Sequence, residues 1–431
     1  MISSFKIKNF KSFEDAELKL GSLTLLIGAN ASGKSNAIEA IRFLNWLAVG
    51  RSLDTLSNYL KHELPFFRGK IDDLFLKGKQ YKTFSLGCIT EGMEWDNFSI
   101  SFRNHLADLW IQAEDFSHGS SGESLYKSVG SKIDFLRVSH TDFKSVATKT
   151  EIRYSSRKTV FSQIVNKIFI PINELNNYLQ DPCTMLQFQL QHIYFFDSLP
   201  TKMRGYSNKS DTTLSSNAEN ISSVLYYLLG SSNSENELVK IEMLNLISSL
   251  PEQNISDIRF WETGRGEVMV KLVESFGGKE TEIDAPLLSD GTLRVLAIAA
   301  ALLCTPKGSL VVIEEIDNGV HPSRAKSLLN SIKEIAKRRK LKVLISSHNP
   351  ALMDALPDSS LGDTVFCYRD PKSGFSKLQR LSDLFDYPEL IVQGSLGDLV
   401  TEGILDRFVK NHPGTREEKI KRSLAWLESI R

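Results

Sequence analysis

The chain contains 431 residues, of which 41% are hydrophobic and 24% are charged. These values are typical of a folded globular protein, so they exclude a disordered, collagen-like or coiled-coil-dominated chain. One hydrophobic core rarely exceeds about 250–300 residues, which predicts two lobes. Because 52 Lys and Arg residues balance 52 Asp and Glu residues, any nucleic-acid surface must be a local patch.

Cysteine usage and apolar runs indicate the cellular compartment. Cys88, Cys183, Cys304 and Cys367 form no CxxC pair, which argues against a disulfide framework or structural zinc and suits a reducing cytoplasm. The N-terminus has no signal-peptide run, and the most apolar stretch, Val295–Leu303, is about half as long as a membrane span. We therefore expect a cytoplasmic protein with no membrane partner.

The N-terminal segment and the lobe that follows it differ in pattern. Alternation and apolar runs predict strands at Ser4–Asn9, Ala16–Leu20 and Leu23–Ile27, and then a helix from Lys34 to about Leu47. Residues 50–256 lack long charged heptads, so a globular α+β or helical insertion is predicted in place of a coiled-coil arm. Its clearest elements are strands at Thr83–Thr90, Phe98–Phe102 and Leu109–Ala113 and helices at Asn220–Leu229 and Glu235–Leu250.

From Ile258 onward the hydrophobic periodicity of the sequence is more regular. A strand, an amphipathic helix and a second strand are typical of a βαβ unit, so the fold class is predicted to be α/β with a mostly parallel sheet. The predicted elements are strands at Ile258–Trp261, Val268–Val273, Ser309–Ile313 and Lys342–Ile345, a hairpin of Thr364–Tyr368 and Lys377–Leu381, and helices at Leu293–Leu303, Ser323–Lys337, Leu396–Val409 and Glu417–Ile430.

Residues Gly28–Ser35 read GANASGKS and fit the phosphate-loop pattern G-x-x-x-x-G-K-[ST], between a buried strand and a helix. The glycines let consecutive backbone N–H groups face one anion, and the helix N-terminus adds positive charge. Lys34 would reach the β- and γ-phosphates, and the Ser35 hydroxyl would bind Mg²⁺. The pattern therefore predicts binding of ATP with Mg²⁺.

Two later predicted strands are followed by residues that can bind a metal ion or take part in acid–base catalysis. Glu314 and Glu315 follow the apolar strand Leu310–Ile313, and ligands of parallel sheets bind beyond the carboxyl ends of strands. We expect Glu314 to hold Mg²⁺ through its water shell and Glu315 to polarise the attacking water. His348 follows the next strand and would contact the γ-phosphate or that water, although the residue pattern alone fits a structural histidine equally well.

These motifs resemble the ABC-type ATPases of the SMC and RecF-like group, and most of all the small ATPases of Septu, PARIS and retron anti-phage systems. Ser289–Thr292 matches the signature motif in its SDGT form, and Ser346–Pro350 matches the switch-histidine loop. Ile313–Pro322 matches the Walker B and D-loop run, with Glu314 in place of Asp and Ile316 in place of Pro. Asn9–Phe13 is similar to the N-F-[KR]-S-F opening, whose basic residue, here Lys11, lies near the nucleotide.

The resemblance implies an ABC-type ATPase head split by an insertion. It divides the chain into head residues 1–49 and 257–370, an inserted lobe at 50–256 and a C-terminal helical extension at 371–431. The implied nucleotide contacts are Lys11, Gly28, Asn30, Ser32, Gly33, Lys34, Ser35, Asn36, Ser289, Asp290 and Gly291. Ser35 and Glu314 would bind Mg²⁺, Glu315 and His348 would be catalytic, and the Asp317–Asn318 segment would lie at a dimer interface.

Three functions stay open at this point. The first is an ATP-gated regulatory subunit that dimerises around ATP and controls a separate effector, such as an HNH or TOPRIM nuclease, in anti-phage defence. The second is a RecF- or SMC-like repair ATPase that binds DNA directly, and the third is a nucleotide-holding scaffold with little hydrolysis. Two basic runs could contact DNA or a partner, namely Lys202 with Arg204 and Lys209, and Arg416–Arg422. A third run, Lys333–Lys342, fits cations that complement the C-terminus of a helix better than it fits a DNA surface.

Overall fold

A computed structural model describes residues 1–56, 68–78, 83–105, 108–130, 135–140, 152–166, 174–230, 234–247, 254–317, 322–384 and 386–410. The predicted helix at Glu417–Ile430, the basic run Arg416–Arg422 and residue Asn318 lie outside these ranges. Among the described helices, none combines the length and apolar character needed to cross a membrane.

The described strands are numbered in chain order: β1 (Ile2–Phe10), β2 (Phe13–Lys19), β3 (Leu23–Ile27), β4 (Thr83–Thr90), β5 (Asn97–His105), β6 (Asp108–Ser117), β7 (Ser124–Gly130), β8 (Phe135–His140), β9 (Ile152–Ser155), β10 (Ile193–Phe196), β11 (Ser207–Asn208), β12 (Ile255–Glu262), β13 (Glu267–Phe276), β14 (Lys279–Asp284), β15 (Leu310–Ile313), β16 (Lys342–Ser346), β17 (Val365–Arg369) and β18 (Ser376–Arg380).

The described helices are numbered in the same way: α1 (Lys34–Ala48), α2 (Val160–Val165), α3 (Glu174–Gln191), α4 (Pro200–Met203), α5 (Ile221–Leu229), α6 (Ser234–Ile247), α7 (Asp290–Cys304), α8 (Pro322–Arg339), α9 (Pro350–Asp354), α10 (Asp358–Leu361), α11 (Tyr387–Ile391), α12 (Leu396–Thr401) and α13 (Ile404–Lys410). Short 3-10 turns add Leu53–Thr55, Ile71–Leu74, Ala285–Leu287 and Leu381–Asp383.

The chain divides into two compact units. Unit 1 contains Met1–Leu20, Gly28–Ile193 and Cys367–Leu378. Unit 2 contains Gly21–Ile27, Tyr194–Phe366 and the described residues from 379 onward. The phosphate loop therefore belongs to unit 1, whereas the signature turn, the acidic strand end and the histidine loop belong to unit 2.

Unit 1 is built on an antiparallel meander in which β2, β1, β4, β5, β6, β7, β8 and β9 follow one another. Alternate residues of β5 are buried, as expected for a sheet with one face against the core. Helix α1 packs on that face, where the ring of Phe43 stacks on Phe102 with centroids 5.1 Å apart. Helix α3 joins α1 through Gln187, whose Nε2 donates to the Ala48 carbonyl at 2.8 Å.

Unit 2 contains the parallel part of the fold. Strand β16 lies between β15 and β3 and pairs with both in parallel, and β17 pairs in parallel with the other edge of β3. All residues of β3, β15 and β16 are buried, which explains why their sequences are mostly apolar. The predicted βαβ unit is confirmed, because β15, α8 and β16 follow one another and the two strands are parallel.

Candidate functional site

The phosphate loop in unit 1 requires its two glycines. Gly28 and Gly33 have φ values of 144° and 123°, a region that residues with a side chain rarely adopt. A Cβ on Gly28 would lie 2.1 Å from the Cys367 carbonyl oxygen, and one on Gly33 would lie 2.5 Å from Ser376 Oγ. Backbone conformation and close packing therefore both exclude larger residues at the positions that define the motif.

Lys34 begins α1, and its Nζ donates to the carbonyl oxygens of Gly28 at 2.6 Å and Ala29 at 3.2 Å. Ala29 and Asn30 are exposed, whereas Ser32 and Gly33 are buried. The ammonium group of Lys34 thus lies against the start of the loop. These two carbonyl contacts are ones that an incoming phosphate could replace.

Hydroxyl groups fix the far end of the loop. Asn36 Nδ2 donates to Ser12 Oγ at 2.8 Å, and Ser376 Oγ lies 2.8 Å from the same oxygen. Ser376 Oγ also donates to the carbonyl of Ser32. Asn36 therefore braces the loop from α1, and its predicted contact with the nucleotide stays a prediction.

Cys367 underlies the loop. Burial raises the pKa of its thiol to about 11, against smaller lowering effects of the Ser32 hydroxyl and of Lys34. The thiol therefore stays protonated near neutral pH and is a packing group beside Gly28.

Lys11 pairs with a residue that the sequence motifs do not indicate. Its Nζ binds the carboxylate of Glu39 on α1 and the carbonyl of Arg68 at 3.0 Å, and only 8% of its side chain is exposed. Arg68 Nε donates to the same Glu39 carboxylate at 2.9 Å. Glu39 thus holds two cations one helical turn beyond Ser35, and the predicted role of Lys11 at the nucleotide stays a prediction.

The acidic strand end lies in unit 2. Glu314 donates its backbone N–H to the Phe196 carbonyl at 3.0 Å, and Glu315 donates its own to Ser346 Oγ at 3.1 Å. Glu315 has a φ of 48°, a left-handed conformation that is unfavourable for a residue other than glycine. Ile316 is buried, so the apolar residue that replaces proline in the family pattern fills a core position. Glu315 is exposed at the end of this turn.

His348 lies beyond β16 with 55% of its side chain exposed. Its Nδ1 is 3.8 Å from Oδ2 of Asp317, whose side chain is only 5% exposed. The other oxygen of Asp317 has no hydrogen-bond partner among the described residues. Asn349 then caps α9 by accepting from Ala351 N at 3.0 Å, which fixes the backbone that follows the histidine.

The signature turn opens α7. Ser289 is the N-cap residue, and its Oγ accepts from the backbone N–H of Thr292 at 3.1 Å. Ser289 and Asp290 are exposed, whereas Thr292 is buried. Asp290 makes an ion pair with Arg204 at 2.6 Å, a partner that the sequence patterns do not indicate. A capped helix N-terminus is therefore formed at the signature turn, with a carboxylate beside it, and its predicted contact with the nucleotide stays a prediction.

The register of the parallel strands in unit 2 aligns the ends of β15, β16 and β3. Ile313 is paired with Ile345, Ile345 with Leu25, and Ser346 with Leu26. The carboxyl ends of β15, β16 and β3 therefore meet at one edge of the sheet. The acidic pair follows β15, the histidine loop follows β16, and the phosphate loop follows β3 in the chain.

The candidate metal ligands are oxygen donors. Ser35 supplies a hydroxyl in the first turn of α1, and Glu314 supplies a half-buried carboxylate after β15. Mg²⁺ prefers hard oxygen ligands and usually keeps several waters, with one or two protein groups and substrate phosphates completing its shell. The residues present thus have the chemistry that Mg²⁺ requires.

The chain is similar to several known proteins. The Smc chromosome partition protein of Clostridium kluyveri is 32% identical over 122 residues, which are 28% of this chain and 9% of Smc. An ATP/GTP phosphatase of Helicobacter pylori is 22% identical over 360 residues, which are 83% of this chain and 87% of that protein. The chain thus spans about a tenth of the first relative and most of the second.

One solved structure identifies the fold. A Smc head bound to the C-winged helix domain of ScpA has a TM-score of 0.51 and is 15% identical, covering 88% of this chain and 97% of that one. The chain therefore has the α/β P-loop ATPase fold of Smc heads, and its motif-bearing strands are the parallel part of it.

Family models match both halves of the chain. Residues 189–354 match the model described as "AAA domain, putative AbiEii toxin, Type IV TA system". Residues 1–257 match the model of the AAA ATPase domain, which is more than half of the chain. The protein therefore belongs to the AAA ATPase domain family.

Proposed function

We propose that this protein is a Mg²⁺-dependent ATPase that dimerises around ATP and thereby regulates a separate effector. The observation that carries the proposal is the parallel register of β3, β16 and β15, whose carboxyl ends are followed by the phosphate loop, the histidine loop and the acidic pair. In this proposal Lys34 binds the phosphates, and Glu315 orients and polarises the attacking water.

The role of each residue follows from its chemistry. Mg²⁺ would shield the phosphate charge, held by Ser35 directly and by Glu314 through water. Glu315 is exposed on a turn that its backbone bond to Ser346 fixes, and in this proposal its carboxylate accepts a proton from the attacking water. His348, whose Nδ1 is 3.8 Å from Oδ2 of the buried Asp317 side chain, is proposed to donate to the γ-phosphate.

The dimer is proposed because the signature turn has features of an anion site. Ser289 and Asp290 are exposed at the N-terminus of the 15-residue helix α7, which carries partial positive charge. We propose that this turn of one subunit contacts the nucleotide held by the phosphate loop of the other. ATP would then favour the closed dimer, and loss of the γ-phosphate would open it.

The contacts that the basic runs make within the protein favour a protein effector over direct DNA binding. Arg338 pairs with Glu242 at 2.5 Å, Arg339 donates to the Thr305 carbonyl at 2.8 Å, and Lys333 binds Ser359. In the second run, Lys209 pairs with Glu262 and Arg204 with Asp290. Many of these cations thus already bind other residues of the same chain. The matched family description that names a toxin–antitoxin system supports a role in defence.

The test is subunit complementation. Lys34→Ala removes phosphate binding, and Ser289→Arg blocks the signature turn, so each variant alone should lose most phosphate release. An equimolar mixture should regain activity, because one of the two shared sites combines an intact phosphate loop with an intact signature turn. Recovery requires action between subunits, and a mixture as inactive as its components would overturn the dimer mechanism.

Direct DNA binding is measured in the same preparation. A protein that makes about six phosphate contacts should lose roughly 10³-fold in DNA affinity between 50 and 200 mM salt. We expect no such salt-dependent binding, and no DNA cleavage by the chain alone. Cleavage of DNA by the purified chain would overturn the separate effector.

A further inference from the structure

Arg204 holds the segment that leads into the signature turn. Its Nη1 donates to the carbonyl oxygens of Pro286 at 2.8 Å and Leu288 at 2.6 Å, and its Nη2 donates to Asp290 Oδ1 at 2.6 Å. One guanidinium group therefore binds the residues before and after Leu287 in the chain and also the first residue of α7. A guanidinium group carries five N–H donors in a fixed planar geometry, which suits it to hold three acceptors at once.

The backbone that carries Arg204 is itself fixed. The preceding residue, Met203, is fully buried at the end of α4, and Arg204 is the C-cap residue of that helix. The Arg204 side chain is only 29% exposed, compared with 62% for the Asp290 side chain. The guanidinium is thus the anchored partner, and the signature turn is the part that it positions.

Charge gives Arg204 a second effect. A carboxylate at the signature turn would repel the triphosphate that this turn is proposed to contact, since like charges in a partly desolvated site oppose each other. Arg204 supplies a compensating positive charge in direct contact with Asp290. The other polar groups of the turn, Ser289 and Thr292, are occupied by the N-cap bond.

We propose that Arg204 is a positioning residue for ATP hydrolysis, which holds the signature turn in shape and neutralises Asp290 so that the turn can accept a nucleotide bound by a second subunit. The proposal rests on the function proposed above. It predicts a defect that acts between subunits and leaves nucleotide binding by the phosphate loop of the same subunit intact.

The experiment compares Arg204→Ala, Arg204→Lys and the control Arg265→Ala in the full chain. Arg265 is an exposed arginine between β12 and β13 of the same unit. Arg204→Ala should lower the maximal rate of phosphate release about 10- to 100-fold, in line with hydrogen bonds to a charged group. Arg204→Lys should have an intermediate rate, and Arg265→Ala should have the rate of the unaltered protein. Binding of a fluorescent ATP analogue to Arg204→Ala at subunit concentrations too low for dimerisation should match that of the unaltered protein.

Two further measurements separate this role from a general loss of fold. Mixing Arg204→Ala with Lys34→Ala should restore phosphate release, because the Lys34→Ala subunit supplies an intact signature turn. Adding Asp290→Asn to Arg204→Ala should recover part of the lost rate by removing the unpaired charge. Neither rescue is expected of a misfolded subunit.

The outcomes distinguish the two proposals. If Ser289→Arg is defective while Arg204→Ala hydrolyses ATP at the normal rate, the role of Arg204 is overturned and the proposed function stands. The role of Arg204 is also overturned if Ser289→Arg mixed with Lys34→Ala recovers activity but Arg204→Ala mixed with Lys34→Ala does not. If Ser289→Arg itself keeps full activity, the proposed function fails.

Discussion

The backbone N–H of Glu315 donates a hydrogen bond to the side-chain oxygen of Ser346 at 3.1 Å, which ties the end of β15 to the end of β16. Ser346 also accepts, through its carbonyl oxygen, the backbone N–H of Ile316 at 3.2 Å. The turn that presents Glu315 is therefore fixed by one residue of the neighbouring strand, and its left-handed conformation is held in place.

Substituting Ser346 by alanine should impair hydrolysis without impairing ATP binding. Ser346 is buried, so the variant leaves the Glu315 N–H without its acceptor and loosens the turn. We expect the maximal rate to fall several-fold with an unchanged affinity for ATP. Ser346→Thr should retain activity. Ser309→Ala is the matched control, because Ser309 Oγ, just before β15, has no hydrogen-bond partner among the described residues; an equal loss in the control would contradict this explanation.

Glu315→Gln should keep ATP binding and abolish turnover. The amide cannot accept a proton from the attacking water, and general bases typically contribute about 10²- to 10⁴-fold to a rate. Phosphate release and nucleotide binding are measured side by side, with the exposed Glu389→Gln as control. Normal phosphate release by Glu315→Gln would remove Glu315 from the mechanism.

Removal of Mg²⁺ by EDTA should abolish hydrolysis, and added Mg²⁺ should restore it. Glu314→Ala should raise the Mg²⁺ concentration for half-maximal rate by about 10- to 100-fold, as for residues that act through a metal's outer shell. Glu314→Asp should need nearly the same Mg²⁺ concentration for half-maximal rate as the unaltered protein. If all three proteins respond identically to a Mg²⁺ titration, Glu314 has no part in metal binding.

The buried carboxyl of Glu114 predicts a pH-dependent stability. Burial raises its pKa to about 7, although Tyr126 Oη and the N–H groups of Val160 and Phe161 donate to it at 2.6, 2.8 and 3.2 Å. Tyr126 and Cys183, two titratable groups that interact with it, are buried with raised pKa values and stay neutral near neutral pH.

A raised folded-state pKa means that the folded protein favours the neutral acid. The contribution of Glu114 to stability is therefore fully present below pH 4.5 and is lost as the pH rises to about 7. Over this pH range the contribution of Glu114 to the free energy of unfolding changes by on the order of 3 kcal/mol. The urea midpoints of the unaltered protein and Glu114→Gln should thus converge or cross between pH 5 and 8. A constant difference across that range would contradict the raised pKa; Glu123→Gln, exposed in the same unit, is the control.

Local patterns predicted the elements well where burial and periodicity agree. The strand predicted at Thr83–Thr90 has those bounds, and the helix predicted from Lys34 to about Leu47 ends at Ala48. The helix predicted from Leu293 begins at Asp290, because polar cap residues precede the apolar pattern. The predicted Leu396–Val409 helix is two helices, separated where Gly403 adopts a φ of 66°.

The candidate site was predictable only where its residues are contiguous in the chain. Gly28–Ser35 and Glu314–Glu315 are local motifs, and their strand contexts were confirmed. Glu39 contacts Lys11 across 28 positions, Ser346 contacts Glu315 across 31, and Arg204 contacts Asp290 across 86. Such pairs depend on how the strands and helices pack, so periodicity and motif spacing do not indicate them.

The mass of Glu315→Gln in solution, measured by light scattering with and without Mg²⁺-ATP, tests most directly whether two copies close around the nucleotide. We expect the mass to double on addition of Mg²⁺-ATP and to remain that of one chain when Ser289→Arg is added to the same variant. If Glu315→Gln binds ATP and its mass does not change, the nucleotide is held within a single subunit, and the proposed mechanism is wrong.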